Sequence, residues 1–269
     1  MNELLELFSF AFFRNALLAA LLSSIIAGII GSYIVARRNV FISSGITHAS
    51  FGGMGIAYYL GFPPFLGAGI FAVLSALGIE WSSSKAGIRE DSSIAILWSL
   101  GMAIGILFVF LTPGYTPNLM GFLFGDILTV KVTDLIWLAG TAMLCIILIS
   151  LYYQAIVTVA FDADFAKVSG LPVQTIKYIS AALVSIAIVL SIKVMGIILV
   201  LSLFTIPAAA ANLYAKNLNK VMIGAVLISV VGSLSGLLIA YFLDLPSGAT
   251  IIFTLTVLFV VLKMIKLIR

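Results

Sequence analysis

Charged residues are scarce in this chain: they make up 9% of its 269 residues, whereas hydrophobic residues make up 63%. A soluble domain of this length carries about 25% charged residues. Apolar stretches of about 20 residues, the length that a helix needs to cross a bilayer, recur from end to end of the sequence. A β-barrel would instead show short alternating strands. The composition therefore predicts an all-α, polytopic integral membrane protein.

Cysteine and histidine are almost absent as well. The chain has one cysteine, Cys145, which excludes an intrachain disulfide and a cysteine-based zinc cluster. No Gly-x-x-x-x-Gly-Lys-[Ser/Thr] phosphate loop occurs, and the loops are too short to bury a soluble core. Any ATP chemistry therefore belongs to another chain. The basic residues are scattered over loops, so the net charge of +4 does not predict nucleic-acid binding.

The hydrophobic pattern predicts about nine spans, or an even number of eight if the Asn118–Val132 stretch has been misread. The second span is short for a full crossing, and its glycine-rich start predicts a broken or re-entrant entry. The predicted spans are Ala11–Ala36, Thr47–Leu60, Phe65–Trp81, Ser93–Leu111, Leu135–Ala160, Ile176–Ile192, Met195–Ala215, Val221–Phe242 and Ala249–Leu262.

Basic residues orient the spans, because cytoplasmic loops of membrane proteins are enriched in lysine and arginine. With an odd number of spans and the N-terminus outside, only Arg14, Lys131 and Lys193 of the 14 basic residues lie outside. The distribution therefore predicts a cytoplasmic C-terminus. The inner residues are Arg37, Arg38, Lys85, Arg89, Lys167, Lys177, Lys216, Lys220, Lys263, Lys266 and Arg269.

His48, the only histidine, lies at the head of the second predicted span. An ionisable or metal-binding side chain at membrane depth is a functional hypothesis, and imidazole is a common ligand of transition metals. Gly52 and Gly55 share its helical face and leave room for a small ion or for a neighbouring backbone. Ser44 and Thr47 are further candidate oxygen ligands. The alternative is a histidine that only packs helices.

The segment from Phe161 to Val173 predicts a short helix on the inner side. Asp162 and Asp164 suit a helix N-terminus, and after Ala166 the helix ends at a glycine stop, Gly170. Such a helix, held between two spans, could dock into a groove of a partner. A solvated connecting turn is the alternative.

Two further segments interrupt the apolar pattern. Pro207, inside the seventh span, removes a backbone donor and predicts a kink, either a gate or a structural bend. Asn118–Leu128 predicts a short interfacial helix or a re-entrant turn on the outer side. Asp126 and Asp244 could attract cations at an outer vestibule or could simply be solvated carboxylates.

The acidic residues weigh against two other classes of membrane protein. None of the ten lies clearly at mid-span, where proton-driven secondary transporters often carry carboxylates. Glu80, Glu90 and Asp91 are predicted to be inner-surface charges. His48 has no acidic neighbour within a helical turn, which weighs against a membrane enzyme or protease.

Small residues recur at four-residue spacing in several spans, which predicts close helix packing. We expect this packing within one subunit rather than at a dimer seam. The groups are Gly45/Ala49/Gly53, Gly101/Gly105 and Gly232/Gly236.

Four motifs together resemble the permease subunit of metal-ion ABC transporters of the ABC-3 type, which import zinc, manganese or iron(II). They are Thr47–Ser50 with the following glycines, Leu123–Leu128, Phe161–Pro172 and Gly196–Ala208. The resemblance covers nearly the whole chain. It implies a single permease domain over residues 1–269, in the cell (inner) membrane, that carries out no chemistry and binds no cofactor. The transported metal ion is its substrate.

The resemblance also implies the partners. They are a second copy of the chain, a cytoplasmic ATPase that binds ATP, an extracytoplasmic metal-binding protein and membrane lipid. Residues of about 161–174, with Phe161, Asp162, Asp164, Ala166 and Gly170, would form the coupling helix that docks on the ATPase.

At the metal site the family usually has an aspartate four residues before the histidine, where this chain has Ser44. Either His48 residues from two subunits form the site, which we favour, or the cargo is not a bare divalent metal. The expected order of metals is zinc, manganese, iron(II). The alternatives are an ABC permease for a chelated metal or another small nutrient, and an ATP-independent secondary transporter.

Overall fold

The computed structural model describes residues 9–113, 125 and 127–268 of the chain. All regular elements of this described part are helical, as the sequence predicts, and nine of the ten α-helices are 16 residues or longer. The helices are α1 Ala11–Ala36, α2 Phe41–Leu60, α3 Pro64–Lys85, α4 Glu90–Leu111, α5 Val132–Phe161, α6 Ala163–Val168, α7 Val173–Met195, α8 Ile197–Asn212, α9 Leu218–Phe242 and α10 Ser247–Ile268.

The nine long helices coincide with the nine predicted spans. Seven of them are both long and apolar enough to cross a membrane. The other two are α8, which has only 16 residues, and α2, whose serines, glycines and histidine lower its mean hydropathy. Both helices carry motifs that the sequence analysis singles out. They therefore contain polar residues or residues with small side chains within the predicted spans.

The expected break at the start of the second span is wrong. Helix α2 begins at Phe41 and runs for 20 residues through all of its glycines. Hydroxyl groups of α2 bond to backbone carbonyl groups of the same segment. Ser43 Oγ donates to the Val40 carbonyl at 2.8 Å, and Thr47 Oγ1 donates to the Ser43 carbonyl at 2.6 Å. Contacts with neighbouring helices thus outweigh the low helix propensity of glycine.

The chain folds into two compact units. The first comprises Met1–Ser32, Met120–Ile146 and Ser191–Arg269, and the second comprises Tyr33–Leu119 and Ile147–Leu190. Helices α8, α9 and α10 pack together in the first unit, whereas α2, α3 and α4 pack together in the second. The second unit contains His48 and the short helix α6.

In the second unit, α2 touches α4 and α3 backbone to backbone. A Cβ added at Gly101 of α4 would lie 2.5 Å from the Cα of Ala49, and one at Gly55 would lie 2.5 Å from the Gly105 carbonyl oxygen. On the α3 side, a Cβ at Gly53 would lie 2.1 Å from a carbonyl oxygen. No side chain fits at these positions, so glycine sets the separation of the helices.

The first unit uses small residues in the same way. A Cβ at Gly232 of α9 would meet Leu255 of α10 at 2.2 Å, and one at Gly236 would meet the Cα of Ile251 at 2.6 Å. The expectation that the small-residue groups pack within one subunit is therefore confirmed.

We predict that Gly101→Ala destabilises the protein by about 1–3 kcal/mol, because the added methyl group collides with the backbone of Ala49. Thermal unfolding in detergent measures the loss. Gly140→Ala in α5 is the matched control, since its added Cβ would have no neighbour within 4 Å. Equal stability of the two variants would contradict the close α2–α4 contact.

Candidate functional site

His48 lies in the first half of α2 and is half-buried. Its imidazole stacks on the indole of Trp98 from α4, with ring centroids 4.5 Å apart and an interplanar angle of 2°. The Nδ1 atom is buried and has no hydrogen-bond partner. An enclosed ring nitrogen without a partner is costly to bury, and it is an atom that a metal ion could satisfy.

The hydroxyl groups around His48 differ in burial and in hydrogen bonding. Thr47 is buried, and its hydroxyl donates to the Ser43 carbonyl, while Ser50 Oγ donates to the Thr47 carbonyl at 2.6 Å. Both hydroxyl protons therefore serve the helix itself. Ser44 lies one turn before His48 and is half-buried like it. Of the two candidate oxygen ligands, Ser44 shares the helix face of His48, whereas Thr47 is enclosed by the packing.

The glycines that follow His48 admit backbone rather than an open channel. A Cβ at Gly52 would lie 2.8 Å from the Gly101 carbonyl oxygen, and Gly55 faces the Gly105 backbone of the same helix. Of the two uses that the sequence allows for these glycines, the close approach of a neighbouring backbone is confirmed.

A single copy of the chain does not complete a metal site by itself in the part that the structure describes. No group of three or more His, Cys, Asp or Glu side chains converges there. If a metal ion binds at His48, further ligands have to come from water, from hydroxyl or carbonyl oxygens, or from another copy of the chain.

The segment after α5 forms the short helix α6 that the sequence predicts. Asp162 is its N-cap, and its side chain accepts a hydrogen bond of 2.9 Å from the backbone N–H of Phe165. Gly170 follows the helix with φ +79°, and its N–H donates to the Lys167 carbonyl while that of Leu171 donates to the Ala166 carbonyl. These two bonds form a Schellman motif. Both ends of α6 are thus closed by its own residues.

Helix α6 exposes apolar side chains. Phe165 is 62% exposed and Val168 89%, whereas Ala166 is fully buried. Phe161, the last residue of α5, is 65% exposed next to the helix. Asp164 is exposed on the same short helix. The segment is thus a capped helix with exposed apolar side chains rather than a turn without regular structure.

Helix α8 is continuous through Pro207, which is buried. The backbone interruption in this stretch lies earlier, at Gly196, which has φ +77° and separates α7 from α8. A Cβ at Gly125 would lie 2.2 Å from the carbonyl carbon of Met195, so a second glycine admits this turn. The kink at Pro207 stays a prediction.

Asp126 and most of Asn118–Leu128 lie outside the described residues, and Asp244 is exposed.

The chain matches the model of the ABC 3 transport family over residues 9–266. The chain belongs to the ABC 3 transport family. A manganese transport system membrane protein of Halalkalibacterium halodurans is 34% identical over 94% of this chain and 87% of its own length. A probable metal transport system membrane protein of Chlamydia pneumoniae is 39% identical over 87% of this chain and 82% of its own length.

A solved structure agrees with the family in fold. A chain of PsaBC from Streptococcus pneumoniae, solved in complex with Fab, is 29% identical with a TM-score of 0.84, and the match covers 96% of this chain and 95% of that one. The resemblance drawn from the four sequence motifs is thereby confirmed. The ABC 3 chain is an all-helical, multi-pass permease subunit of an ABC transporter.

One charge cluster of this permease does not follow from the sequence pattern. Glu80 is only 2% exposed, so the prediction that it is an inner-surface charge is wrong. Arg37, just after α1, donates to Glu80 Oε1 at 2.6 Å and to Glu90 Oε1 at 3.1 Å. Burial opposes the charged form of Arg37, but Tyr33 and the two carboxylates outweigh it and raise the guanidinium pKa. The pairing spans 43 residues of sequence, which no local pattern reveals.

We predict that Arg37→Met destabilises the permease by about 3 kcal/mol or more, because Glu80 would be left buried without its partner. Unfolding in detergent measures the loss, and the double variant Arg37→Met/Glu80→Met should regain part of it. The matched control is Arg89→Met, which removes an exposed arginine–aspartate pair and should cost little. Equal losses at Arg37 and Arg89 would contradict a buried cluster.

Proposed function

We propose that the chain forms the membrane pathway of an ABC importer for a divalent transition-metal ion, with His48 on that pathway. The observation that supports this most directly is the buried, unpartnered Nδ1 of His48 in a chain of the ABC 3 transport family. Two of the relatives are named for manganese or metal transport. In this proposal the permease does no chemistry, and its helices alternate the access to the site between the two sides of the membrane.

Manganese and zinc are the first metals to compare. An imidazole ligand alone favours zinc, which is why the sequence puts zinc first, whereas oxygen ligands and water suit manganese. The residues next to His48 on α2 are hydroxyl-bearing or apolar, and the one thiol, Cys145, lies buried in α5. Since named relatives transport manganese, we place manganese first, then zinc and iron(II).

A second copy of the chain would supply the ligands that one copy lacks. Two copies bring two His48 imidazoles to one pathway, and the Ser44 residues add hydroxyl oxygens. Without a carboxylate at Ser44 the site carries no formal negative charge, so it compensates less of the dehydration cost of a divalent ion. This point favours the alternative cargo, a chelated metal or another small nutrient, as the second candidate.

Helix α6 is the proposed coupling helix to a separate cytoplasmic ATPase. Its capped ends and its exposed Phe165 and Val168, together with Phe161 at the end of α5, would supply a rigid apolar contact. Asp162 and Gly170 close the helix, and Asp164 lies exposed at its start. This role requires α6 to lie on the cytoplasmic side, which agrees with the distribution of basic residues. The C-terminus would then lie inside as well. A metal-binding protein would deliver the ion from outside, and lipid would surround the exposed apolar helix faces.

We predict that His48→Ala abolishes metal uptake, because the pathway loses its only nitrogen ligand on α2. Uptake of radioactive manganese and zinc into proteoliposomes with the ATPase measures this, and copurification of the ATPase checks assembly. Ser99→Ala, an exposed hydroxyl on α4, is the control and should keep wild-type uptake. Normal uptake by assembled His48→Ala would rule out the proposed site.

The same preparation separates the candidate functions. Uptake of the chelated metal in preference to the free ion would favour the second candidate. Uptake by the chain alone without ATP would instead point to a secondary transporter.

We predict that Val168→Asp weakens ATPase docking at least tenfold, because it puts a charge into an apolar contact. Val168 is 89% exposed, so the substitution leaves the fold of the permease intact. Pull-down of the ATPase measures the affinity. Ile88→Asp, an apolar residue of the loop between α3 and α4, is the control and should dock normally. Undiminished docking of Val168→Asp would rule out α6 as the coupling helix.

A further inference from the structure

Trp98 is the described residue whose side chain stacks on His48. The two rings are almost parallel, with an interplanar angle of 2°, and their centroids are 4.5 Å apart. This separation lies at the close end of the range for stacked aromatic pairs. One face of the imidazole is therefore covered, and the stack fixes the plane in which the lone pairs of its nitrogens point.

Helix α4 holds Trp98 at this place through contacts on both sides along the chain. A Cβ at Gly45 of α2 would lie 2.4 Å from a side-chain carbon of Ile94, one turn before Trp98. Three residues after Trp98, Gly101 touches the backbone of Ala49. Residues 94, 98 and 101 share one face of α4. The position of the indole is thus set by the same glycine contacts that fix α2 against α4.

No hydrogen bond to the buried Nδ1, the atom proposed to bind the metal, orients the imidazole in the surroundings of His48 that the structure describes. Position 44, one turn earlier on the same face, is a serine rather than a carboxylate. The stack with Trp98 is the described contact that holds the ring plane.

Stacking also favours the metal-bound form over the empty one. A metal ion withdraws electrons from its imidazole ligand, which leaves the ring more positive. Positive charge over the face of an indole is favourable, and tryptophan is the best aromatic partner for it. An interaction that is stronger in the loaded state raises affinity by that difference.

From these observations we infer that Trp98 is a positioning residue for His48, which holds the imidazole in the plane that accepts the metal and strengthens metal binding. The inference rests on the proposed function, because it requires metal at His48. The contact between the positive, metal-bound ring and the indole, which the empty state lacks, is expected to be worth roughly a 3- to 10-fold change in affinity.

The test is a set of variants of the permease in complex with its ATPase, probed with Mn²⁺ and with Zn²⁺ by equilibrium dialysis and by uptake kinetics. Trp98→Leu should raise the dissociation constant and the KM of uptake about 3- to 10-fold. It should change kcat less, because the residue acts on binding. Trp98→Phe keeps an aromatic face and should restore most of the affinity. Trp137→Leu, which removes an indole that is 64% exposed on α5, is the matched control and should bind as the wild type does.

A double-variant cycle separates positioning from a general structural effect. In a His48→Gln background, which keeps a weaker oxygen ligand in place of the imidazole, Trp98→Leu should cause a clearly smaller loss of binding than in the wild type, since Trp98 acts through the imidazole. A similar loss in both backgrounds would overturn the inference. If Trp98→Leu does not assemble, Trp98→Met, which keeps bulk without a flat face, takes its place. Wild-type affinity of either assembled variant would also overturn the inference.

The outcome at His48 distinguishes the two levels of the proposal. Loss of binding in His48→Ala together with unchanged binding in Trp98→Leu rejects the role of Trp98 and leaves the pathway site in place. Unchanged binding in His48→Ala rejects the site, and the role of Trp98 with it.

Discussion

Backbone contact between α2 and its two neighbours is the constraint on which the candidate site depends. Glycines bring α4 and α3 so close that a single methyl group would collide with a carbonyl or a Cα atom. Lipid provides no hydrophobic drive between helices, so van der Waals contact at this distance is a main source of their association. The same contact sets the height and the rotation of α2, and hence the place of His48 and the indole that covers it.

Much of the fold follows from the sequence because hydrocarbon leaves few choices. Backbone groups must be satisfied within a span, so an apolar run of about 20 residues becomes a helix. Seven of the nine long helices follow from this rule, and the caps of α6 follow from Asp162 and Gly170. The start of α2 does not follow from the sequence. Closely spaced glycines predict a break in a helix, whereas in α2 they are the positions at which the backbones of neighbouring helices touch it.

The sequence predicts the central residue of the candidate site but not the contacts around it. His48 stands out in the sequence because polar groups at membrane depth are rare. Trp98 lies 50 positions later, and its role depends on how α4 is rotated against α2, which no spacing within one helix reveals. The pairing of Arg37 with Glu80 is of the same kind. A charge next to a span boundary looks solvated until the partner that allows its burial is known.

The local closure of α6 has a thermodynamic consequence. The Asp162 side chain caps the Phe165 N–H at its start, and two backbone bonds from Gly170 and Leu171 close its end, so the helix is formed before any partner arrives. A partner that binds it spends no free energy on ordering a loop, and contact area converts more fully into affinity.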